Sequence, residues 1–360
     1  MTLPLYINKL ENKKVAIYGA KNMGEIVGKL LRHYKLQIAC YIVSDGQAHS
    51  NKLNDVEIKE LNQASSMLSK DTPIILALNK CYHAEVIVEL KKKGFENIID
   101  SMIEDQVVLF QDIYRSIIEK NGCVIKEGFL SKENYRQIDP FTDKRLNSFF
   151  LEAGDLFLPG ICENQDWFTE GPYELGNIQI QQEDVVIDCG ANIGIFSCYA
   201  ASKGASKVYA FEPLPAALEV LDIHKKMYSG IVEIVPFALS DSVGKIDMCI
   251  SDVSDGEGSI VFEHMIGKKI EVEMTTIDEY VRKNAIERVD FIKADIEGAE
   301  RQMLKGAYWV LKNMHPKLSI CTYHLPDDKE ILENLILEAN PNYVVEHRYK
   351  KLYAYVPEEG

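Results

Sequence analysis

The fold of the C-terminal half follows from the stretch DVVIDCGANIG, residues 184–194. Apolar residues lead up to Asp188 as in a buried β-strand, and Gly190 and Gly194 follow before an apolar helix pattern begins. Glycine lets the backbone turn sharply and approach a ligand, and the next helix presents free N–H groups. Since open α/β sheets bind ligands beyond the carboxyl ends of their strands, this stretch predicts a strand, a ligand-binding loop and a helix.

Strand and helix patterns alternate downstream of this loop, which is typical of a doubly wound sheet. One helix is predicted over Ala299–Asn313. The strands Tyr343–His347 and Lys351–Val356 are joined by too few residues for a crossover helix, so they must run antiparallel. The predicted fold class is α/β, with an antiparallel final hairpin. The other predicted strands are Lys207–Phe211, Ile231–Phe237, Val289–Ala294 and Lys317–Thr322, together with a β-hairpin formed by Lys245–Ile250 and Lys269–Met274.

The length of 360 residues is enough for more than one domain. Residues 1–105 also alternate strands with helices and predict a smaller Rossmann-like α/β domain. Helical periodicity in Val107–Lys120 and Ser131–Glu152 predicts a helical connector over residues 106–165. The remaining residues, 166–360, form the domain that carries the glycine loop, here defined as residues 190–194.

Composition limits where the protein works and what it binds. Hydrophobic residues make up 46% of the chain, no apolar run is long enough to span a membrane, and no leader pattern is present. The 8 cysteines show no C-x-x-C and indicate reduced core thiols. We therefore expect a cytoplasmic protein, and a homo-oligomer stays open. A net charge of −15 argues against a nucleic-acid partner, because such binding needs clustered basic residues.

Acidic residues at two predicted strand ends indicate the class of ligand. A carboxylate at Asp188 would repel a pyrophosphate but attract an ammonium and a sulfonium group. The glycine spacing G-x-x-x-G also differs from the dinucleotide pattern G-x-G-x-x-G. Glu212 follows the loop by about 20 residues, where an acid accepts both ribose hydroxyls. These residues predict a site for S-adenosylmethionine at Asp188, Gly190, Asn192, Gly194 and Glu212.

The chain resembles the FkbM family of methyltransferases over about residues 166–357. The matching motifs are DVVIDCGANIG at 184–194, VYAFEP at 208–213, FALSD at 237–241, TTIDE at 275–279 and DFIKADIEGAE at 290–300. The resemblance implies a class I methyltransferase fold and O-methyl transfer from S-adenosylmethionine to a hydroxyl of a sugar, glycan or small metabolite. It also implies that Ala238 and Asp241 lie against the adenine.

Methyl transfer is an in-line displacement, so a group that receives the hydroxyl proton is expected near the methyl. Two neighbouring strand ends offer candidates: Lys293, Asp295, Glu297 and Glu300 at one, and Tyr323 and His324 at the next. His324 could act as the base with Asp295 orienting it, or two carboxylates and the imidazole could hold a divalent metal. The residues leave both open. A structural alternative is that Glu297 and Glu300 complement a helix N-terminus while Lys293 offsets their charge.

Tyr173 lies in a glycine- and proline-containing segment, residues 170–174, which we call the entrance segment. The resemblance extends weakly to this segment. The tyrosine either packs on the cofactor or covers the acceptor, and a simple hydrophobic anchor is the alternative.

The N-terminal half contains a second glycine-bounded turn, Gly19–Gly24, after a predicted strand. It resembles a nucleotide-binding loop, but Lys21 occupies the middle glycine position, and Asp45 is placed where an acid could reach a ribose. Three roles compete: recognition of a nucleotide-linked sugar, docking of a partner or second subunit, and NAD-dependent redox chemistry. For the whole chain, the alternatives to a methyltransferase are a non-catalytic adenosine-binding or docking module and an NAD-dependent sugar-modifying enzyme.

Overall fold

The computed structural model divides the chain into two compact units, Met1–Lys120 and Asn121–Gly360. It describes residues 10–99 with gaps at 11, 21, 34, 49 and 79–81, and then residues 122–139, 171–251, 258–259 and 267–357. Each unit has its own sheets and its own buried core.

The N-terminal unit contains a six-stranded sheet of order β3-β4-β2-β1-β5-β6. All pairs are parallel except β3–β4, a short hairpin that we did not predict. Its two-residue turn, Asn54-Asp55, has positive φ at both positions, the geometry of the common tight hairpin turn. The elements are β1 (Lys14–Tyr18), α1 (Asn22–His33), β2 (Gln37–Val43), β3 (Lys52–Leu53), β4 (Val56–Glu60), α2 (Leu61–Met67), β5 (Ile74–Leu76), α3 (His83–Lys92) and β6 (Ile98–Ile99).

Packing accounts for the glycines of the N-terminal turn. A Cβ on Gly19 would lie 2.0 Å from the carbonyl oxygen of Ala77, and one on Gly24 would lie 2.1 Å from the carbonyl oxygen of Gly19. The Asp45 carboxylate accepts a 2.9 Å hydrogen bond from a backbone N–H at the start of α2. Lys21 lies outside the described residues. The nucleotide site in this unit therefore stays a prediction.

Residues 124–138 correct the predicted helical connector. They form a three-stranded antiparallel sheet of β7 (Val124–Lys126), β8 (Phe129–Lys132) and β9 (Tyr135–Ile138). The predicted helix Ser131–Glu152 is therefore wrong over 131–138. Left-handed residues in both connecting turns, Glu127 and Glu133, reverse the chain and prevent a helix. The predicted helix Val107–Lys120 and residues 140–165 lie outside the described residues.

The C-terminal unit is an α/β fold with a seven-stranded mixed sheet of order β12-β11-β10-β17-β18-β20-β19. Strand β20 runs antiparallel to both β18 and β19, and the other pairs are parallel. Because β10 lies between β11 and β17, the loops after these three strands meet at one edge of the sheet. The elements are β10 (Val185–Cys189), α4 (Ile195–Ser202), β11 (Lys207–Phe211), α5 (Pro215–Met227), β12 (Val232–Val235), β13 (Ala238–Leu239), β14 (Gly244–Ser251), β15 (Gly258–Ser259), β16 (Gly267–Thr275), α6 (Ile277–Lys283), β17 (Phe291–Ala294), α7 (Glu300–Lys305), α8 (Tyr308–Asn313), β18 (Lys317–Cys321), α9 (Asp328–Ala339), β19 (Val344–Arg348) and β20 (Lys351–Tyr355).

The helix predicted over Ala299–Asn313 is two helices, α7 and α8. Gly306 separates them, and a Cβ there would lie 2.2 Å from the carbonyl oxygen of Ser240. The Asp278 carboxylate accepts hydrogen bonds of 2.8 and 3.0 Å from two backbone N–H groups in the first turn of α8. Asp278 thus caps the second helix, which explains its place in the TTIDE motif.

A buried histidine ties β9 to the glycine loop. His224 on α5 accepts a 2.9 Å hydrogen bond at Nε2 from the Ile138 N–H, and its Nδ1 donates to the carbonyl of Ile193. Burial lowers the pKa of His224 to about 4, so the ring is neutral at physiological pH. Only a neutral imidazole both accepts and donates, so this pair of bonds requires the uncharged ring.

None of the helices in the described parts of the chain has the length and apolar character needed to cross a bilayer. Six cysteines lie in the same parts. All six are buried and none forms a disulfide there: Cys40, Cys123, Cys189, Cys198, Cys249 and Cys321.

Candidate active site

The glycine loop is packed tightly against its neighbours. Gly190 has a φ of 77°, and a Cβ on it would lie 2.0 Å from the carbonyl oxygen of Asp295, which follows β17. Gly194 has a φ of 90° and precedes α4, and a Cβ there would lie 2.3 Å from the side chain of Leu221. Both glycines are therefore needed for the loop to pack, whatever ligand it contacts.

Asp188 lies beneath this loop and is fully buried. Its Oδ1 is 3.0 Å from Lys293 Nζ, and its Oδ2 accepts a 2.7 Å hydrogen bond from Ser197 Oγ. We predicted that this carboxylate faces the positive charge of a cofactor. In the structure a lysine balances its charge, so Asp188 supports the loop from below.

Lys293 joins three parts of the site. Its ammonium donates a 2.7 Å hydrogen bond to the carbonyl of Gly190 and lies 5.4 Å from the centre of the Tyr173 ring. Burial opposes its charge, but Asp188 and Asp295 outweigh burial and raise the pKa of Lys293, so it is protonated at neutral pH. These contacts place Lys293 under the glycine loop, and its catalytic role stays a prediction.

Glu212, at the end of β11, is 5% exposed. Its carboxylate accepts 2.8 Å hydrogen bonds from the backbone N–H groups of Asn192 and Leu214. Burial raises its pKa to about 7, although these two bonds favour the ionised form. Each carboxylate oxygen can accept a second hydrogen bond, so the geometry leaves acceptor positions for ribose hydroxyls.

Asn192 has a left-handed backbone with a φ of 49°. Its side-chain Oδ1 is buried and makes no hydrogen bond with any described residue. Since buried polar atoms are normally paired, this oxygen is a candidate acceptor for a ligand group.

The two residues that the resemblance places at the adenine differ in exposure. Ala238 on β13 is buried in the same apolar cluster as Ile193 of the glycine loop, whereas Asp241 is exposed. The adenine contact itself stays a prediction.

Four ionisable side chains meet beyond β17 and β18, and we call them the acid–imidazole cluster: Asp295, Glu297, Glu300 and His324. The His324 ring is 4% exposed. Its Nδ1 is 3.1 Å from a Glu300 oxygen, and its Nε2 is 3.5 Å from Glu297 and 3.6 Å from Asp295. Asp295, Glu297, Glu300 and His324 thus lie together as expected from the two strand ends, whereas Lys293 lies beside Asp188 and Gly190.

The charge state of His324 differs from our expectation of a base that titrates near neutrality. Burial lowers the pKa of His324, but Glu300, Asp295 and Glu297 outweigh burial and raise it to about 10. The imidazole in this arrangement therefore carries a proton at neutral pH, and its role as the base stays a prediction.

Asp295 links the cluster to the entrance segment. It accepts hydrogen bonds from Tyr173 Oη at 2.9 Å and from Tyr323 Oη at 3.3 Å. Burial favours protonation, but His324 and Lys293 outweigh burial and lower the pKa of Asp295, which keeps the carboxylate ionised. Because the Tyr173 ring also packs edge-on against Phe196 at 5.2 Å, Tyr173 is both a hydrophobic anchor and a polar contact of the site.

Two residues of β20 hold the entrance segment, and the sequence did not reveal them. Lys351 donates a 2.9 Å hydrogen bond to the Gly171 carbonyl, and its ammonium lies 4.5 Å from the centre of the Tyr173 ring. Tyr353 donates a hydrogen bond to the Pro172 carbonyl. Lys351 is 1% exposed, and a lysine in an otherwise apolar strand pattern was the signal that could have indicated this role.

Comparisons with known proteins identify similar methyltransferases. Residues 188–351 match the protein family described as "Methyltransferase FkbM domain". Methyltransferase sdnD of Sordaria araneosa is 27% identical over 179 residues, covering 40% of this chain and 68% of that protein. Hexuronic acid methyltransferase AglP of Haloferax volcanii is 28% identical over 163 residues, covering 45% of this chain and 64% of that protein.

A third relative is the 31-O-demethyl-FK506 methyltransferase FkbM of Streptomyces tacrolimicus, 22% identical over 179 residues, covering 39% of this chain and 65% of that protein. The chain thus spans about two thirds of each of these relatives. Together these matches support an FkbM-family methyltransferase in the C-terminal unit.

Proposed function

We propose that the chain is an S-adenosylmethionine-dependent O-methyltransferase whose acceptor is a hydroxyl of a sugar, glycan or small metabolite. The supporting observation is that one edge of the sheet brings together the glycine loop, Glu212 and the acid–imidazole cluster. Gly190 is the link, since it contacts Asp295 on one side and Lys293 on the other.

The adenosine would lie between the glycine loop and Glu212. The ribose hydroxyls would donate to the Glu212 carboxylate, and the unpaired Asn192 oxygen would accept from a cofactor N–H. Since Lys293 neutralises Asp188, attraction of the positively charged sulfonium comes from the acid–imidazole cluster, which has three carboxylates against one imidazolium.

The acceptor hydroxyl would lie beside Asp295. This carboxylate is ionised and held by two tyrosine hydroxyls, so it can accept a hydrogen bond from the acceptor and orient its oxygen toward the methyl group. The choice of a hydroxyl acceptor is supported by two relatives, one named for hexuronic acid and the other for the 31-O position of its substrate.

Methyl transfer is tested with S-adenosylmethionine carrying a deuterated methyl group, incubated with the full chain and either free hexuronic acids or cell extract. We expect a methylated product with the mass of the labelled group in the spectrum, because the family transfers methyl groups. Glu212→Ala should abolish the product together with cofactor binding by calorimetry. Glu219→Ala, an exposed acid on α5, is the matched control and should retain both.

Two outcomes contradict the proposal. Tight cofactor binding without any labelled product would favour the non-catalytic binding module. Failure to bind the cofactor, together with NAD detected in the purified protein by fluorescence, would favour the redox alternative.

Cofactor affinity should fall in acid because of Glu212. The ribose hydroxyls prefer its ionised form, and its pKa in the free protein is about 7, so affinity is highest above pH 7 and falls below it. Between pH 8 and pH 6 we expect the Kd of S-adenosylhomocysteine, measured by calorimetry, to rise about tenfold, since one pKa unit corresponds to about 1.4 kcal/mol. The Glu212→Gln variant should bind S-adenosylhomocysteine more weakly at pH 8. Its Kd should not change between pH 8 and pH 6. An unchanged Kd for the unaltered protein across this range would contradict the assigned role.

A further inference from the structure

We propose that Asp295, Glu300 and His324 form a binding site for one divalent transition-metal cation, for example Mn²⁺. The inference rests on the proposed function, because these residues lie where the acceptor hydroxyl is expected.

The three side chains offer donor atoms in a small space. One ligand atom from each residue can be chosen so that all three lie within 4.8 Å of one another. Metal bonds to histidine nitrogen and carboxylate oxygen are about 2.0–2.2 Å long, so small side-chain rotations bring the three donors onto one ion. They are held by separate rigid elements, since Asp295 follows β17, Glu300 begins α7 and His324 follows β18.

Buried polar atoms in this group lack hydrogen bonds, which points to a missing ligand. Neither ring nitrogen of His324 makes a hydrogen bond with a described residue, although carboxylate oxygens lie 3.1 to 3.6 Å away. Glu300 is fully buried, and its Oε2 also makes no hydrogen bond with a described residue. Unsatisfied buried atoms are rare, and a metal ion would displace the imidazole proton and bind one ring nitrogen of His324 together with the unpaired Glu300 oxygen.

The surroundings also suit a metal. The Ile296 N–H donates a 2.8 Å hydrogen bond to Glu300 Oε1, and two tyrosine hydroxyls donate to Asp295, so neighbouring groups already orient both carboxylates. An imidazole with two carboxylates favours ions such as Mn²⁺, Fe²⁺, Co²⁺ or Zn²⁺ over Ca²⁺, which prefers oxygen donors alone. A cation bound there would act as a Lewis acid and polarise the acceptor hydroxyl.

The test is direct binding of Mn²⁺ to the full chain after treatment with a chelator and dialysis, followed by the electron paramagnetic resonance signal of free Mn²⁺. We expect one Mn²⁺ per chain. Glu300→Gln should weaken binding at least about tenfold, because metal affinity responds strongly to loss of a ligand. This variant keeps an oxygen for the Ile296 N–H and the shape of the side chain, so it should fold even where His324→Gln does not.

His347→Gln is the matched control. It removes a histidine that is paired with Glu333 at 2.8 Å elsewhere in the same unit, and it should bind Mn²⁺ like the unaltered chain. The proposal is overturned if the unaltered chain binds neither Mn²⁺ nor Zn²⁺ stoichiometrically, or if Glu300→Gln binds as tightly as the control. Calorimetry with S-adenosylhomocysteine on the same samples separates the two proposals. If the cofactor binds but the metal does not, the proposed cation site is rejected and the methyltransferase proposal stands.

Discussion

Replacing Lys293 by methionine is expected to destabilise the C-terminal unit by about 3–5 kcal/mol, the range for breaking a buried ion pair by removing one partner. Lys293 is 2% exposed, and its ammonium lies 3.0 Å from the carboxylate of Asp188, which is itself fully buried. Methionine fits the space but leaves that negative charge without a counter-charge. It also removes the donor that holds the Gly190 carbonyl.

Urea unfolding followed by tryptophan fluorescence measures this effect. Both tryptophans of the chain, Trp167 and Trp309, belong to the C-terminal unit, so the signal reports on that unit. Lys317→Met is the matched control. Lys317 forms a 3.0 Å pair with Asp184, but its side chain is 21% exposed, so its loss should cost less than the loss of Lys293.

A double variant tests the cause. Asp188→Asn added to Lys293→Met removes the uncompensated charge, so it should recover part of the lost stability. A Lys293→Met protein no less stable than Lys317→Met, or a double variant less stable than Lys293→Met alone, would contradict the buried pair as the origin of the effect.

Gly190→Ala is expected to damage both stability and the site. A Cβ at this position would lie 2.0 Å from the carbonyl oxygen of Asp295, a backbone atom that cannot rotate away. The φ of 77° adds left-handed strain of about 1–2 kcal/mol for a residue with a Cβ. The chain must shift the loop or the end of β17, and displacement of reacting groups by about 1 Å can lower a catalysed rate about 100-fold.

The Gly230→Ala variant separates the effect of backbone strain from the effect of a steric clash. Gly230 has a φ of 87°, but a Cβ there would meet nothing within 4 Å. We expect Gly190→Ala to be less stable than Gly230→Ala in urea by about 1–3 kcal/mol, the cost of overpacking. Gly230→Ala should also keep its Kd for S-adenosylhomocysteine, whereas Gly190→Ala should lose measurable binding. Equal stability and equal affinity of the two variants would show that the close contact has no consequence.

The sequence located the edge of the sheet where the site lies, because its signals are local. Strand periodicity ends at Asp188, at Glu212 and before Asp295, and parallel strands place those ends side by side. The two glycines of the loop were recognised for the same reason. Their purpose was only partly anticipated, since the Gly190 contact with Asp295 joins residues far apart in the chain.

The local sequence pattern of residues 131–138 led to a wrong prediction of a helix. The spacing of apolar residues there suits a helix as well as short strands, and periodicity alone does not separate the two. Left-handed residues in the turns, Glu127 and Glu133, make this segment form strands instead of a helix. Glutamate is not a residue from which such a turn is expected, so the strand pairing was not readable from the sequence.

By itself the sequence determined the α/β architecture of the C-terminal unit, the position of the glycine loop and the acids at the strand ends, because each depends on neighbours along the chain. The tertiary structure decided what those side chains do. It paired Asp188 with Lys293, surrounded His324 with three carboxylates, and brought Lys351 of β20 to the entrance segment. The physical reason is that charge state depends on burial and on distances through space, and folding alone sets both.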